Sequence, residues 1–339
     1  MFFKSPIYTR KYKVRIMPNG ILILVLIITC SMVTVFLNLQ PTTISSTLGP
    51  HWTTGTNMPR SVFEVSATVL NGKIYVAGGQ DENGDLLDTL LVYDPKSGEW
   101  DLENSLPVAL DHSALASYEN KLYLVGGFLE HRIPTPQLFI YDPETKSWQE
   151  GEPMPTARAG LTSQFVEGIL YAIGGSSGDN SGALSTTQAY DPKTDSWTEK
   201  DPMPAARHHI SSTLVDGKIL VVGGRVTEVS SSLNTNQKYD PKNDRWIELE
   251  PMPTERSGAA AVTVDGNVYV MGGEKIIGSF NTLEKYNPKS DSWSVEPEMP
   301  TARLGLDAVV LDGKIYAIGG KTNQSSKSAT NVIEIFFPS

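Results

Sequence analysis

Four arginines share one phase of the sequence: Arg158, Arg207, Arg256 and Arg303 each lie three residues after a proline, at Pro155, Pro204, Pro253 and Pro300. A guanidinium group offers a planar fork of donors that matches a carboxylate or phosphate, so several around one opening would grip an anion. Val62 and Leu110 hold the same phase earlier in the chain, with Arg60 offset by two. Regular recurrence favours arginines that brace their own structural unit over this grip, because bracing residues repeat when the unit repeats. His208 and His209 follow Arg207, and His112 sits in the corresponding earlier stretch. Arg60, Arg158, Arg207, Arg256, Arg303 and His209 are therefore the candidate ligand-binding residues. For proton transfer, Glu228, Glu274 and His209 are available, but no spacing singles out a catalytic residue. No metal or cofactor is expected: neighbours on a strand point to opposite faces, so His208 and His209 would not chelate one ion from one side. The single cysteine, Cys30, excludes an internal disulfide and a cysteine-based metal site.

What must position these groups is a unit that recurs six times. Each copy has a tryptophan, a proline seven residues later and a glycine pair beginning twenty-six residues after the tryptophan. The tryptophans are Trp52, Trp100, Trp148, Trp197, Trp246 and Trp293. The pairs are Gly78-Gly79, Gly126-Gly127, Gly174-Gly175, Gly223-Gly224, Gly272-Gly273 and Gly319-Gly320. Both intervals are constant, whereas the stretch from glycine pair to next tryptophan varies, which is the signature of a rigid repeat carrying adaptable loops. A period near forty-eight residues makes one closed array a better reading of 339 residues than two ordinary domains.

Within a copy the hydrophobic period is two, so the pieces are strands. The second copy predicts strands over 113–118, 121–125, 137–141 and one through Trp148, four antiparallel strands in one small sheet. Asn71-Gly72, Asp216-Gly217, Asp265-Gly266 and Asp312-Gly313 are pairs that tolerate positive φ in two-residue hairpins, with Glu119-Asn120 and Glu167-Gly168 in the same slot. A second tight turn reads Tyr-Asp-Pro at Tyr93, Tyr141, Tyr190 and Tyr239 and Tyr-Asn-Pro at Tyr286. The double glycine, the tyrosine three residues before it, this turn and the tryptophan together resemble kelch repeats, from Trp52 to the C-terminus. Leu220 in place of that tyrosine, Asn287 in place of Asp and the ending Phe336-Phe337-Pro338 are small departures. The resemblance implies an all-β, six-bladed kelch-type β-propeller around a central channel. The fragment order implies how it closes: the piece with Trp52 is a fourth strand lacking its first three, and residues 303–338 supply three strands without a fourth. Pairing of Trp52 with 332–336 would seal the ring and remove an open edge. The tryptophans are then expected as packing between blades, each able to bury about 150–250 Å², at most roughly 4–6 kcal/mol.

Antiparallel geometry puts the loops before each first strand and the loops after each glycine pair on one face. The latter, beginning at Gln80, Phe128, Ser176, Arg225, Glu274 and Lys321, differ between copies and form the expected recognition rim.

At the N-terminus, a basic tail (1–19) precedes an apolar run (20–37) without a charged residue. As a helix it would span roughly 27 Å, close to the hydrocarbon thickness of a bilayer. An uncleaved transmembrane signal anchor is preferred over a cleaved signal, since the run is long for a signal core and no Ala-x-Ala follows. The positive flank stays cytoplasmic, placing a Ser/Thr/Pro tether (38–50) and the propeller (51–339) outside the cytoplasm. The net charge of -10 argues against nucleic-acid binding, which needs a basic stripe. The expected partner is a protein or an anionic small-molecule ligand, and the expected role recognition or scaffolding. The alternative is a carbohydrate-active isomerase, whose ring-opening needs only a general acid and base near the channel.

Overall fold

The computed structural model describes residues 49–178 and 182–338. The basic tail, the apolar run and most of the tether lie outside the described residues. Among the described residues no helix is long and apolar enough to cross a membrane.

Six four-stranded antiparallel sheets form the blades of a propeller. Blade 1 comprises Ser66–Leu70, Lys73–Ala77, Leu90–Asp94 and Glu99–Leu102. Blade 2 runs Ala114–Tyr118, Lys121–Val125, Leu138–Asp142 and Ser147–Gly151, within a residue or two of expectation except for a longer last strand. Blades 3, 4 and 5 begin with Thr162–Val166, Ser211–Val215 and Ala260–Val264. Blade 6 joins Asp307–Leu311, Lys314–Ile318 and Ile333–Phe337 to the N-terminal strand His51–Thr54. Trp52 pairs in register with Phe336, so head and tail share one sheet as the fragment order implied. The hairpin slot adopts positive φ at both residues in every blade, for example Asn71 (52°) with Gly72 (73°) and Glu119 (44°) with Asn120 (61°).

The repeated residues couple neighbouring blades. The second glycine of each pair donates its N–H to a carbonyl of the next blade: Gly79 to Leu110, Gly127 to Arg158, Gly175 to Arg207, Gly224 to Arg256, Gly273 to Arg303 and, closing the circle, Gly320 to Val62. Glycine is required here. A Cβ on Gly127, at φ +112°, would sit 2.7 Å from the Asp111 carbonyl oxygen, and one on its neighbour Gly126, at φ +65°, 2.5 Å from that of Arg158. Each tryptophan is half-buried, packs at a tilt against the turn aromatic of its own blade and donates its indole N–H to the preceding one, as Trp197 does to the Glu152 carbonyl at 2.7 Å and Trp52 to Pro297 at 2.8 Å. Six apolar clusters fill the spaces around the ring.

Candidate functional site

The four in-phase arginines do not form an anion grip. All four are fully buried, and each spends its guanidinium inside its own blade. Arg158 donates to the carbonyls of Gly174, Thr186 and Ala172 and to Gln188 Oε1, at 2.8–3.2 Å. Arg207 reaches Gly223 and Gln237. Arg256 bonds the carbonyls of Gly272 and Thr282 and lies 2.5 Å from Glu284; Arg303 bonds Gly319 and lies 2.8 Å from Glu334. Burial lowers Arg158 and Arg207 to about 10. A side chain so enclosed has no fork left for a ligand, which corrects the first of the two expectations for this column. Arg60 is exposed, away from the axis-lining residues.

Around the channel runs a second ring, made by the residue five places after each proline: Glu64, His112, Gly160, His209, Gly258 and Gly305. Each N–H donates to the preceding member's carbonyl, from Glu64 onto Gly305 (2.7 Å) round to Gly305 onto Gly258 (3.0 Å), a closed circle of six hydrogen bonds. The circle imposes a left-handed backbone, with φ between 52° and 61° at every member. Three members are glycine, for which this is free. The other three carry large side chains in a conformation that costs about 1–3 kcal/mol at a non-glycine residue, an expense that concentrates at functional sites.

Those three side chains converge. His112 Nε2 lies 3.0 Å from His209 Nε2 and 3.4 Å from Glu64 Oε2. Second groups stand behind both rings: Asp111 Oδ1 makes an ion-pair contact with His112 Nδ1 at 3.0 Å, and His208 Nδ1 is hydrogen-bonded to His209 Nδ1 at 2.5 Å. Arg225 Nη2, which only donates, lies 2.9 Å from His209 Nε2, so that nitrogen carries the lone pair and the His209 proton sits on Nδ1. Burial pushes His112 down, but the carboxylates of Glu64 and Asp111 outweigh it and raise the imidazole. His209 is driven well below the usual histidine range by burial, then by Arg225 and His112, and His208 falls to about 4 for the same first two causes. Glu274 is raised by burial despite its ion pair with Arg225.

Above the ring a chamber of about 140 Å³ opens among the first residues of the rim loops, Gln80, Arg225, Glu274 and Lys321, with Arg132 and Gln324. The rim loops share this face with the loops before the first strands, bonded to them in each blade, for instance Phe63 with Gln80 and His208 with Arg225. Below lies the channel proper, about 600 Å³, walled by first strands rich in small hydroxyl side chains. Glu64, His112 and His209 line both volumes, so they stand between chamber and channel. Asp307 is the channel's carboxylate on a first strand. Burial raises it to about 7, although it accepts the N–H groups of Ala67 (2.6 Å) and Ala308 (2.8 Å).

Of the candidates, His209 and Glu274 are in the site, while Glu228 is exposed on its loop. Reasoning from the sequence missed Glu64 and left His112 unassigned. Their shared phase with glycines of other copies was the signal. The expectation of no metal weighed only His208 with His209; the ligand-type atoms of Glu64, His112 and His209, from three different blades, lie within 4.8 Å of one another.

The sequence matches the family model of the KLHDC2/KLHL20/DRC7 Kelch-repeats domain over residues 35–224 and 154–320, more than half of the chain. The chain belongs to the kelch-repeat family. A comparison with curated proteins found no match. Among solved structures, the one titled "Structure of YjhT" superposes on this kelch propeller with a TM-score of 0.71 at 16% identity, covering 82% of this chain and 95% of that one. At that identity the likeness speaks for the fold.

Proposed function

We propose that this kelch propeller is a recognition module that takes an anionic group, from a small molecule or an acidic protein segment, into the chamber on its loop face. One observation carries this reading. After Arg225 is matched by Glu274 and His112 by Glu64, the chamber still holds Arg132 and Lys321, which have no carboxylate partner among the described residues. Both are held in place from beneath, Arg132 4.3 Å from the Phe128 ring centre and Lys321 4.2 Å from that of Phe63. Calorimetry with two probes, a small dicarboxylate and a polyglutamate peptide, tests it: binding of one, weakened at least tenfold in Lys321→Ala or Arg132→Ala, is expected. No heat with either probe would sink the reading. The basic tail and apolar run support a membrane-anchored propeller outside the cytoplasm. Protease protection in sealed inside-out vesicles tests that topology, with a shielded propeller expected.

A second reading, an acid–base isomerase acting on carbohydrates, is favoured by a different observation. His112 faces the His209 lone pair at 3.0 Å at the top of a channel lined with hydroxyl groups, a proton donor and acceptor in one reach. Proton-exchange NMR on sugar anomers tests it: faster interconversion with the protein than with His112→Gly supports it, and equal rates oppose it.

A further inference from the structure

We infer that Glu64, His112 and His209 form a binding site for one divalent transition-metal ion, with zinc as the class their ligand types suit. The inference stands apart from anion recognition and goes beyond it.

The first argument is distance. Two ligands on a tetrahedral ion with bonds of about 2.0–2.1 Å are about 3.3 Å apart, and on an octahedral ion about 2.9 Å. His112 Nε2 to His209 Nε2 is 3.0 Å, inside that range, and His112 Nε2 to Glu64 Oε2 is 3.4 Å, just above it, while all three ligand atoms lie within 4.8 Å of one another. Two imidazoles and one carboxylate are the protein share of catalytic zinc and of open iron sites, leaving further positions for water or a ligand. Here those positions would face the chamber and the channel.

The second argument is orientation. Histidines that hold a metal nearly always place the other ring nitrogen on a partner that fixes the tautomer. Asp111, fully buried and also held by Gln80 Nε2, stands in ion-pair contact with His112 Nδ1, and His208 Nδ1 is hydrogen-bonded to His209 Nδ1. Each histidine thus has its Nδ1 beside a second group while its Nε2 belongs to the cluster with Glu64. The third is the backbone: three of six equivalent positions carry side chains where the hydrogen-bonded ring favours glycine, and these are the three that meet.

Arg225 is the competitor, its Nη2 resting on the His209 lone pair. Metal binding releases the proton on His112 Nε2 and displaces this one bond, while Arg225 keeps Glu274 and Ser257 as partners. The guanidinium thus shields the site without filling it.

The test uses the full chain with Zn²⁺ and Co²⁺, read by calorimetry, metal content after gel filtration and the visible spectrum of the cobalt form. One equivalent is expected, with a higher melting temperature in its presence. His112→Gly and His209→Gly, which place glycine where three other blades have it, should fold and lose binding by at least 100-fold. Asp111→Asn should lose 10–100-fold through orientation alone. Arg225→Gln should tighten binding several-fold by freeing the lone pair. Wild-type protein that retains no more zinc than the His112→Gly/His209→Gly double variant would overturn the proposal, and so would a weakened Arg225→Gln.

Discussion

Two rings encircle the axis of this propeller, and they follow opposite rules. The outer ring of arginines repeats in four blades with its partners: Arg158 with Gln188, Arg207 with Gln237, Arg256 with Glu284 and Arg303 with Glu334. Where the arginine is missing the partner changes too, Val62 with Leu91 in blade 1 and Leu110 with Phe139 in blade 2, each pair inside one apolar cluster. Both solutions fill the same space, one with a buried polar pair and one with hydrocarbon, and neither exposes a group to a ligand. The inner ring keeps the same left-handed backbone in all six copies while its residues are three glycines, two histidines and one glutamate. Repetition with compensation marks structure; a constant backbone carrying side chains it disfavours marks the place where something is bound.

The largest effect expected comes from breaking the outer ring asymmetrically. Arg256→Met leaves the Glu284 carboxylate buried with Thr254 as its remaining side-chain donor. Removing one partner of a buried ion pair costs about 3–5 kcal/mol, whereas replacing both with hydrocarbon is often near neutral. Denaturant unfolding of Arg256→Met should show that loss, and Arg256→Leu/Glu284→Leu, copying blades 1 and 2, should recover most of it, ending within about 2 kcal/mol of wild type. A double variant as unstable as the single one would mean that the two solutions are not interchangeable.

A smaller effect sharpens the same contrast on the first strands. The position seven after each proline is Ser66, Ala114, Thr162, Ser211, Ala260 and Asp307, so one carboxylate interrupts a series of small residues. Its pKa is raised from 3.8 to about 7, so between these values the folded state binds the proton that the unfolded chain has lost. Stability from this group is therefore present below about pH 4, falls as pH rises, and is gone above about pH 7. Relative to Asp307→Asn, wild type should lose roughly 1–3 kcal/mol across that window, and parallel profiles would refute the assignment.

Much of the fold could be read in advance because each blade states it again: glycines bonded across blades, tryptophans bonded back, and a head strand that fits only the tail. The arginine column was legible as a column but not in depth, because phase along a chain gives direction and says nothing of which layer closes over a side chain. Bonds to Gly174, Gly223, Gly272 and Gly319, the first glycine of each pair, are tertiary facts. The binding cluster escaped for another reason. Glu64 and His112 are 48 residues apart and His112 and His209 are 97, three residues of two chemical types that only the ring brings together. Residue type at each ring position hid them, whereas the glycines at Gly160, Gly258 and Gly305 in the same phase would have exposed them.

The smallest effect is the most direct measure of what the inner ring costs. Putting glycine at position 64, 112 or 209 removes a left-handed strain of about 1 kcal/mol or more but adds flexibility to the unfolded chain and deletes side-chain contacts. The net change in stability should stay within about 1 kcal/mol for each, with Glu64→Gly toward stabilisation because its side chain is the most exposed of the three. The reverse exchange should hurt: Gly160→Ala keeps φ at +61° and brings a Cβ to 3.1 Å from His209 Nδ1, so about 1–2 kcal/mol is lost and the His208–His209 contact is disturbed. That asymmetry would mean that the three side chains contribute little to folding, as residues kept for the proposed binding would. Equal losses in both directions, measured by thermal unfolding at one pH, would instead make the three side chains part of the scaffold and erase the distinction between the rings.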